Sequence, residues 1–209
     1  MRKSLLAASV SIAALALSSS QPLIAQSDAV FKAQCRYSHS AGNDPIVFPG
    51  KTGAAHRHDF FGNRTTNAFT TTSSLVAGAT TCSESRDHAS YWVPSIARRN
   101  ADGSLSYVVP TLIDAYYNFG GTNPPLTSYP LGLRVIAGDA MNIEALDTRF
   151  AFWQCLTLQG NVNRSIQAQM PKCASGEYLT AVIHFPDCWD GKHLDSADHK
   201  SHIDRKSVV

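Results

Sequence analysis

The stretch "YWVPSIARRNADGSLSYVVPTLI", residues 91–113, decides the fold class. Both of its ends, residues 91–97 and 105–113, are rich in the β-branched and aromatic residues that strands favour. Between them the chain reads Asn100-Ala101-Asp102-Gly103. A short connection that ends in Asp-Gly between two such runs predicts a β-hairpin. The chain therefore contains antiparallel β structure at its centre.

Four more segments have the composition of strands: residues 31–37, 131–137, 150–158 and 178–185. The chain has 10 prolines, which are spaced too closely for long helices. Only residues 63–69 and 138–146 predict short helices. We therefore expect a mainly β single domain, sandwich or jelly-roll-like, with long loops and a few short helices.

The two ends of the chain predict processing rather than fold. Residues 1–25 combine a basic start, an apolar run and a small-residue cleavage pattern, which predicts a secretory signal peptide. Residues 26–203 are then one secreted domain. Residues 204–209, Asp-Arg-Lys-Ser-Val-Val, resemble a translated sequencing adapter. This interpretation makes them an artefact that truncates the natural chain; the alternative is a genuine polar tail.

Charge and cysteine content limit the partners and the compartment. Loss of Arg2 and Lys3 with the signal peptide leaves equal numbers of basic and acidic residues. No basic surface for nucleic acid is expected, and no membrane contact after signal cleavage. All five cysteines lie in the exported part, which predicts two disulfides and one cysteine left over.

The first of two histidine-rich windows contains His56 and His58, in "AAHRHDFF". In an extended chain, side chains two residues apart point to the same face. Imidazole pairs of this kind suit zinc or copper. The alternative is two half-exposed histidines at the end of a strand. Asp44 and Asp59 are the nearest acids, and we regard them as candidate catalytic residues.

The second window, "HLDSADHKSH", covers residues 193–202. On a helical turn His199 and His202 would share a face, and Asp195, four residues before His199, would join them. Such a group supplies nitrogen ligands together with a carboxylate that orients an imidazole or acts as a base. The alternative is a solvated, charged loop.

Several motifs carry a resemblance to a known family. They are "SHSAGNDPIVFPG", "AHRHDFFGN", "YWVPSI", "YYNFG", "PLGLRVIAGD" and "FPDCWDGKHLDSADHKSH". With them, residues 31–203 resemble a secreted domain of unknown function found in fungi and actinobacteria, where it often accompanies modules that bind wall carbohydrate. The resemblance implies an extracellular location and a polysaccharide context, and it implies no particular reaction.

Together these observations predict a secreted, metal-dependent, carbohydrate-active enzyme that acts on polysaccharide or cell wall. His56 and His58 with His199 or His202 would hold a zinc or copper ion, and Asp195 would orient a ligand or act as the base. One alternative is a non-enzymatic module that binds or adheres to wall polysaccharide. Another is that the histidines are structural and bond backbone carbonyls. Four aromatic residues are candidates for stacking on sugars or for the core: Trp92, Tyr116, Tyr117 and Trp189.

Overall fold

A computed structural model describes residues 30–118, 128–139, 142, 144, 147–157 and 162–204. The signal peptide and residues 205–209 lie outside the described residues. The fold is mainly β, as predicted. How its sheets are layered, as a sandwich or a jelly roll, stays a prediction. The strands are β1 Val30–Ala41, β2 His58–Gly62, β3 Ser90–Pro94, β4 Ala97–Arg99, β5 Leu105–Tyr107, β6 Leu112–Asn118, β7 Ala151–Thr157, β8 Val162–Gln167, β9 Glu177–Ile183, β10 Cys188–Trp189 and β11 Ile203–Asp204.

The largest sheet has four antiparallel strands in the order β3-β2-β1-β6. Its long strand β1 has two partners, because its first half pairs with β6 and its second half with β2. Apolar side chains are buried where these strands meet, with Phe60 at 0% and Phe61 at 2% relative exposure. These two residues anchor β2 in the core, and they fix the position of His58 and Asp59 immediately before them.

The predicted hairpin is confirmed: β4 pairs with β5 across the turn, with Ala97 opposite Tyr107. The Asn100 N–H donates to the Ser104 carbonyl at 2.8 Å, and Gly103 has a φ of +84°. Each predicted run is nevertheless divided into two strands. The first run yields β3 and β4, and the second yields β5 and β6, with Pro110 in the break because proline donates no backbone hydrogen bond.

The described part of the chain also contains a second sheet and two disulfides. Strand β7 pairs with β8 on one side and with β9 on the other. Disulfides join Cys35 to Cys82 and Cys155 to Cys173, which confirms the predicted pair of disulfides, and Cys188 is in neither. Within the described part of the chain, no helix has the length and apolar character needed to span a membrane.

Two predicted elements are wrong. Residues 131–137 form a turn and irregular backbone instead of a strand, because the Arg134 N–H donates to the Leu194 carbonyl at 3.0 Å instead of joining a ladder. Residues 63–69 are not helical either; the one described helix is α1, Thr72–Ala77, which begins with a capping box between Thr71 and Ser74. The predicted helix at 138–146 lies largely outside the described residues.

Candidate functional site

The first histidine window lies at the edge of the core. His58 begins β2 and is 4% exposed, and its Nδ1–H donates to the Asn43 carbonyl at 2.9 Å. His56 precedes the strand and is exposed, with its ring centroid 4.2 Å from that of His58. Burial lowers the pKa of His58, and the nearby His56 lowers it further, against the Asn43 hydrogen bond and two acidic neighbours.

The two acids beside this window are engaged in holding the backbone. One carboxylate oxygen of Asp44 accepts the backbone N–H groups of Ile46 and Val47, both at 2.9 Å. The Asp59 carboxylate accepts the hydroxyls of Ser40 at 2.6 Å and Ser95 at 2.8 Å. Both aspartates are buried. Their contacts close a turn and tie neighbouring strands together, while their catalytic role stays a prediction.

The second window lies in a closed loop, residues 190–202, which we call the histidine loop. Strands β10 and β11 pair at its base, and the Asp190 N–H donates to the His202 carbonyl at 3.0 Å. Inside it, Asp190 accepts the His193 Nδ1–H at 2.6 Å. Backbone and side-chain hydrogen bonds from His193, with a further backbone bond from Lys192, lower the pKa of Asp190 to about 2. This carboxylate is therefore ionised at neutral pH.

At the centre of the histidine loop, Asp195 is hydrogen-bonded to the imidazole of His199 and to the guanidinium of Arg134. Its Oδ1 lies 2.8 Å from the Nδ1 of His199, and its Oδ2 lies 3.0 Å from Nη1 of Arg134. Burial alone would raise the pKa of Asp195, but hydrogen bonds from His199, Ser196 and Arg134 outweigh burial and lower it. The result is an ionised carboxylate that holds His199 by one ring nitrogen.

The predicted helical turn in this window is wrong, although it correctly brings Asp195 to His199. Residues 195–196 are irregular and residues 197–202 are turns and bends, and His199 has a φ of +56°, a conformation outside the α-helix. His202 therefore does not share a helical face with His199. Its Nε2–H donates to the Arg134 carbonyl at 2.7 Å, and its Nδ1 lies 2.9 Å from the Ser196 hydroxyl.

Two concave surfaces adjoin this loop. One is a cavity of about 430 Å³, which we call the histidine pocket; its lining is Asp190, His193, Asp195, Ser196, Ser201 and His202. The other is a cavity of about 700 Å³, which we call the α1 groove; its lining is Thr71, Thr72, Ser73, Val76, Ala77, Leu131 and Arg134. Both are shallow surfaces that are broadly open to solvent.

The four candidate metal ligands do not form one set in this structure. Among the described residues, the groups of three or more donors within 4.8 Å of one another are Cys35, Cys82 and Asp87, and Cys155, Cys173 and Glu177. Each of these groups contains a disulfide, whose sulfurs are not thiolates. The placement of His56 and His58 beside β2, and of His199 and His202 in the histidine loop, leaves the shared metal site a prediction.

Arg134 is a residue of the candidate site that the sequence patterns did not indicate. This residue lies 61 positions before Asp195, in a segment interpreted as a strand, and it contacts both Asp195 and His202. The available signal was a single arginine in the otherwise apolar stretch 131–137. A charge inside an apolar run indicates a partner, because an unpaired charge is costly to bury.

The fold and the site define a mainly β, disulfide-bonded protein with a loop in which histidines are bonded to carboxylates. The family model described as "Domain of unknown function (DUF1996)" matches residues 44–208, and the chain belongs to that family. The predicted resemblance to a domain of unknown function is thereby confirmed, and both histidine windows lie inside the matched range. Comparisons with curated proteins and with solved structures find no match.

Proposed function

We propose that this protein is an exported enzyme that acts on polysaccharide or cell wall, with its reacting groups in the histidine pocket and on His199. Two disulfides support export, since such bonds persist in oxidising compartments. The observation that carries the proposal is the hydrogen-bonded series from Arg134 through Asp195 to His199. The polysaccharide context rests on the family resemblance.

In this proposal His199 is the general base. Asp195 accepts its Nδ1–H, which fixes the imidazole tautomer and directs the basic Nε2 away from the carboxylate. Among the described residues, Nε2 of His199 has no hydrogen bond. It is therefore placed to accept a proton from a water molecule or a sugar hydroxyl. The second acid–imidazole pair, Asp190 with His193, lines the same pocket region.

In the metal-dependent form of the proposal, a divalent metal, zinc or copper, would be bound by His56 and His58 together with His199. His199 would then be a ligand through Nε2 instead of the general base, because its Nδ1 is held by Asp195. Such an ion would supply Lewis-acid activation of water. His58 has Nδ1 committed to Asn43, so Nε2 is its available ligand atom. His202 has both ring nitrogens hydrogen-bonded, so it would have to give up one contact to become the fourth ligand. A site of this kind needs the two histidine windows to meet.

Four forms of the protein separate these possibilities: wild type and the variants His199→Ala, His56→Ala and His88→Ala. The assay is sugar release from insoluble β-glucan, chitin and cellulose, with and without chelator. General acid–base catalysis predicts a loss of about 100-fold or more for His199→Ala. A metal shared between the windows predicts a similar loss for His56→Ala and inhibition by chelator. His88, which bonds the Gly78 carbonyl, is the control. Release that His199→Ala does not change would exclude the proposed base.

One observation favours a second candidate, a non-enzymatic polysaccharide-binding module. Tyr116 is 64% exposed on the edge strand β6, where a flat aromatic side chain is able to stack on a sugar ring, and the Lys32 ammonium lies 5.9 Å from its ring centroid. The other proposed stacking residues are more strongly engaged. Trp92 lies 5.8 Å from the Phe60 ring, Tyr117 bonds the Tyr91 hydroxyl at 2.9 Å, and the Trp189 Nε1–H donates to the His193 carbonyl at 2.6 Å. Glycan binding that survives chelation and yields no product would favour this candidate.

A further inference from the structure

The α1 groove and the histidine pocket meet at one residue. Arg134 lines the groove, and its guanidinium donates to Asp195, which lines the pocket. Its backbone carbonyl also accepts the Nε2–H of His202, another pocket residue. The two surfaces are therefore connected through the ion pair between Arg134 and Asp195.

The opposite walls of the α1 groove come from distant parts of the sequence and meet closely. Gly132 has a φ of +89°, and a side-chain carbon added to it would lie 2.9 Å from the Thr72 hydroxyl and 3.7 Å from Leu194. The Arg134 N–H donates to the Leu194 carbonyl at 3.0 Å. The segment around Gly132 thus lies against both α1 and the histidine loop.

The chemistry of the groove identifies its ligand. Aliphatic carbons of Val76 and Leu131 are exposed on its walls, at 52% and 76% respectively, beside the hydroxyl-bearing residues Thr71, Thr72 and Ser73. Among the described residues that line the groove, the charged one is Arg134, which is already paired with Asp195. A ligand with apolar C–H faces, many hydroxyls and no net charge matches this surface, and neutral sugar rings have these properties.

We propose that the α1 groove binds successive units of a neutral polysaccharide chain that continues past Arg134 into the histidine pocket. This inference rests on the proposed function and extends it, since it makes the substrate a polymer that occupies two neighbouring sites rather than a small sugar. The chain binds in the groove, and the unit beyond Arg134 reaches the His199 and Asp195 pair.

The test measures depletion of the secreted protein onto insoluble β-1,3-glucan, chitin and cellulose. Val76→Arg places a long cationic side chain in the groove, and Val109→Arg makes the same change at an exposed valine outside it. We expect Val76→Arg to weaken binding at least tenfold and Val109→Arg to change it less than twofold. If Val76→Arg lowers the melting temperature, the binding of Leu131→Arg, a variant on the facing wall, is measured instead.

Binding of the groove variants at the wild-type level would overturn the inference, as would the absence of wild-type binding to all three polymers. The variant His199→Ala separates this result from the proposed function. If the groove holds most of the chain, His199→Ala should weaken binding less than Val76→Arg does, whatever its effect on sugar release. Loss of release in His199→Ala together with unchanged binding by Val76→Arg would support the enzyme and reject the groove.

Discussion

The Oδ1 of Asp195 lies 2.8 Å from the Nδ1 of His199, across a turn in which His199 has a φ of +56°. A non-glycine residue in this region costs about 1–2 kcal/mol, so the surrounding contacts must stabilise the turn. The hydrogen bond to Asp195 is one such contact. Asp195 is in turn fixed by Arg134 and by the Ser196 N–H.

The first prediction concerns the orientation of His199. In Asp195→Asn the amide is nearly the same size as the carboxylate but is neutral, so it accepts the imidazole proton less strongly. We expect sugar release to fall about 10–100-fold, the usual effect of losing such an orienting partner. Nitrogen-15 NMR should show His199 protonated at Nδ1 in the wild type and as a mixture of tautomers in the variant. Unchanged tautomer populations would contradict the proposed role of Asp195.

The second prediction concerns Asn63, which begins the glycosylation sequon Asn63-Arg64-Thr65. Its side chain is 0% exposed; its amide donates to the Leu75 carbonyl at 2.9 Å, and its oxygen accepts the Thr65 N–H at 2.9 Å. Asn63→Asp removes the donor and should destabilise the fold by about 1–3 kcal/mol, measured by urea unfolding.

The same burial predicts that Asn63 stays unmodified in the folded protein. Expression in a glycosylating host followed by peptide mass spectrometry tests this expectation. A glycan on Asn63 of correctly folded protein would contradict the hydrogen-bond pattern. The exposed Asn67, whose substitution Asn67→Asp alters a surface residue, is the control for the stability measurement.

The third prediction compares two glycines with similar backbone. Gly62 has a φ of +75° and Gly103 a φ of +84°. A side-chain carbon at Gly62 would lie 2.5 Å from the Ala89 carbonyl oxygen, whereas Gly103 has nothing within 4 Å. Gly103→Ala should therefore lower the free energy of unfolding only by the conformational cost, about 1–2 kcal/mol. Gly62→Ala should lower the free energy of unfolding clearly more, because β2 must move away from Ala89. Equal changes in unfolding free energy would contradict this explanation.

The fourth prediction is a pH dependence of stability. Burial lowers the pKa of His58 from its ordinary value of 6.5, so the folded protein binds this proton less tightly than the unfolded chain does. The free energy of unfolding should therefore decrease as the pH falls below about 6.5. His58→Asn, which keeps a donor for the Asn43 carbonyl, should flatten this dependence. Denaturant unfolding at pH 7.5 and pH 5.5 measures both slopes, and identical slopes would rule out His58 as the source.

Local sequence patterns predicted the parts of the fold that depend on local interactions. The turn at Asn100–Gly103 and the strand composition of β1, β7 and β9 follow from neighbouring residues, and all are present. Residues 131–137 have an equally strong strand composition but are irregular. Their backbone instead contacts the histidine loop, whose Leu194 lies 60 residues from Arg134. Strand propensity reflects the residue types of the segment alone, so it could not predict such a distant contact.

In the candidate site, too, only the contacts between residues close in sequence could be predicted. The spacing of Asp195 and His199 suggested their contact, which the structure forms through a turn instead of a helix. Burial of His58 and the contacts of Asp44 and Asp59 could not be predicted, since they depend on how β2 enters the sheet. The role of Arg134 requires the three-dimensional contact itself.

The paired strands β10 and β11 give the histidine loop a consequence beyond its chemistry. A loop of 13 residues between Trp189 and Ile203 has its two ends joined by backbone pairs, so its interior can change sequence or length while its base stays in place. Variation within this one segment would therefore change residues that line the histidine pocket and leave the strand pairing at its base in place. Exchange of residues 190–202 between members of the family would test whether this segment determines what the protein binds.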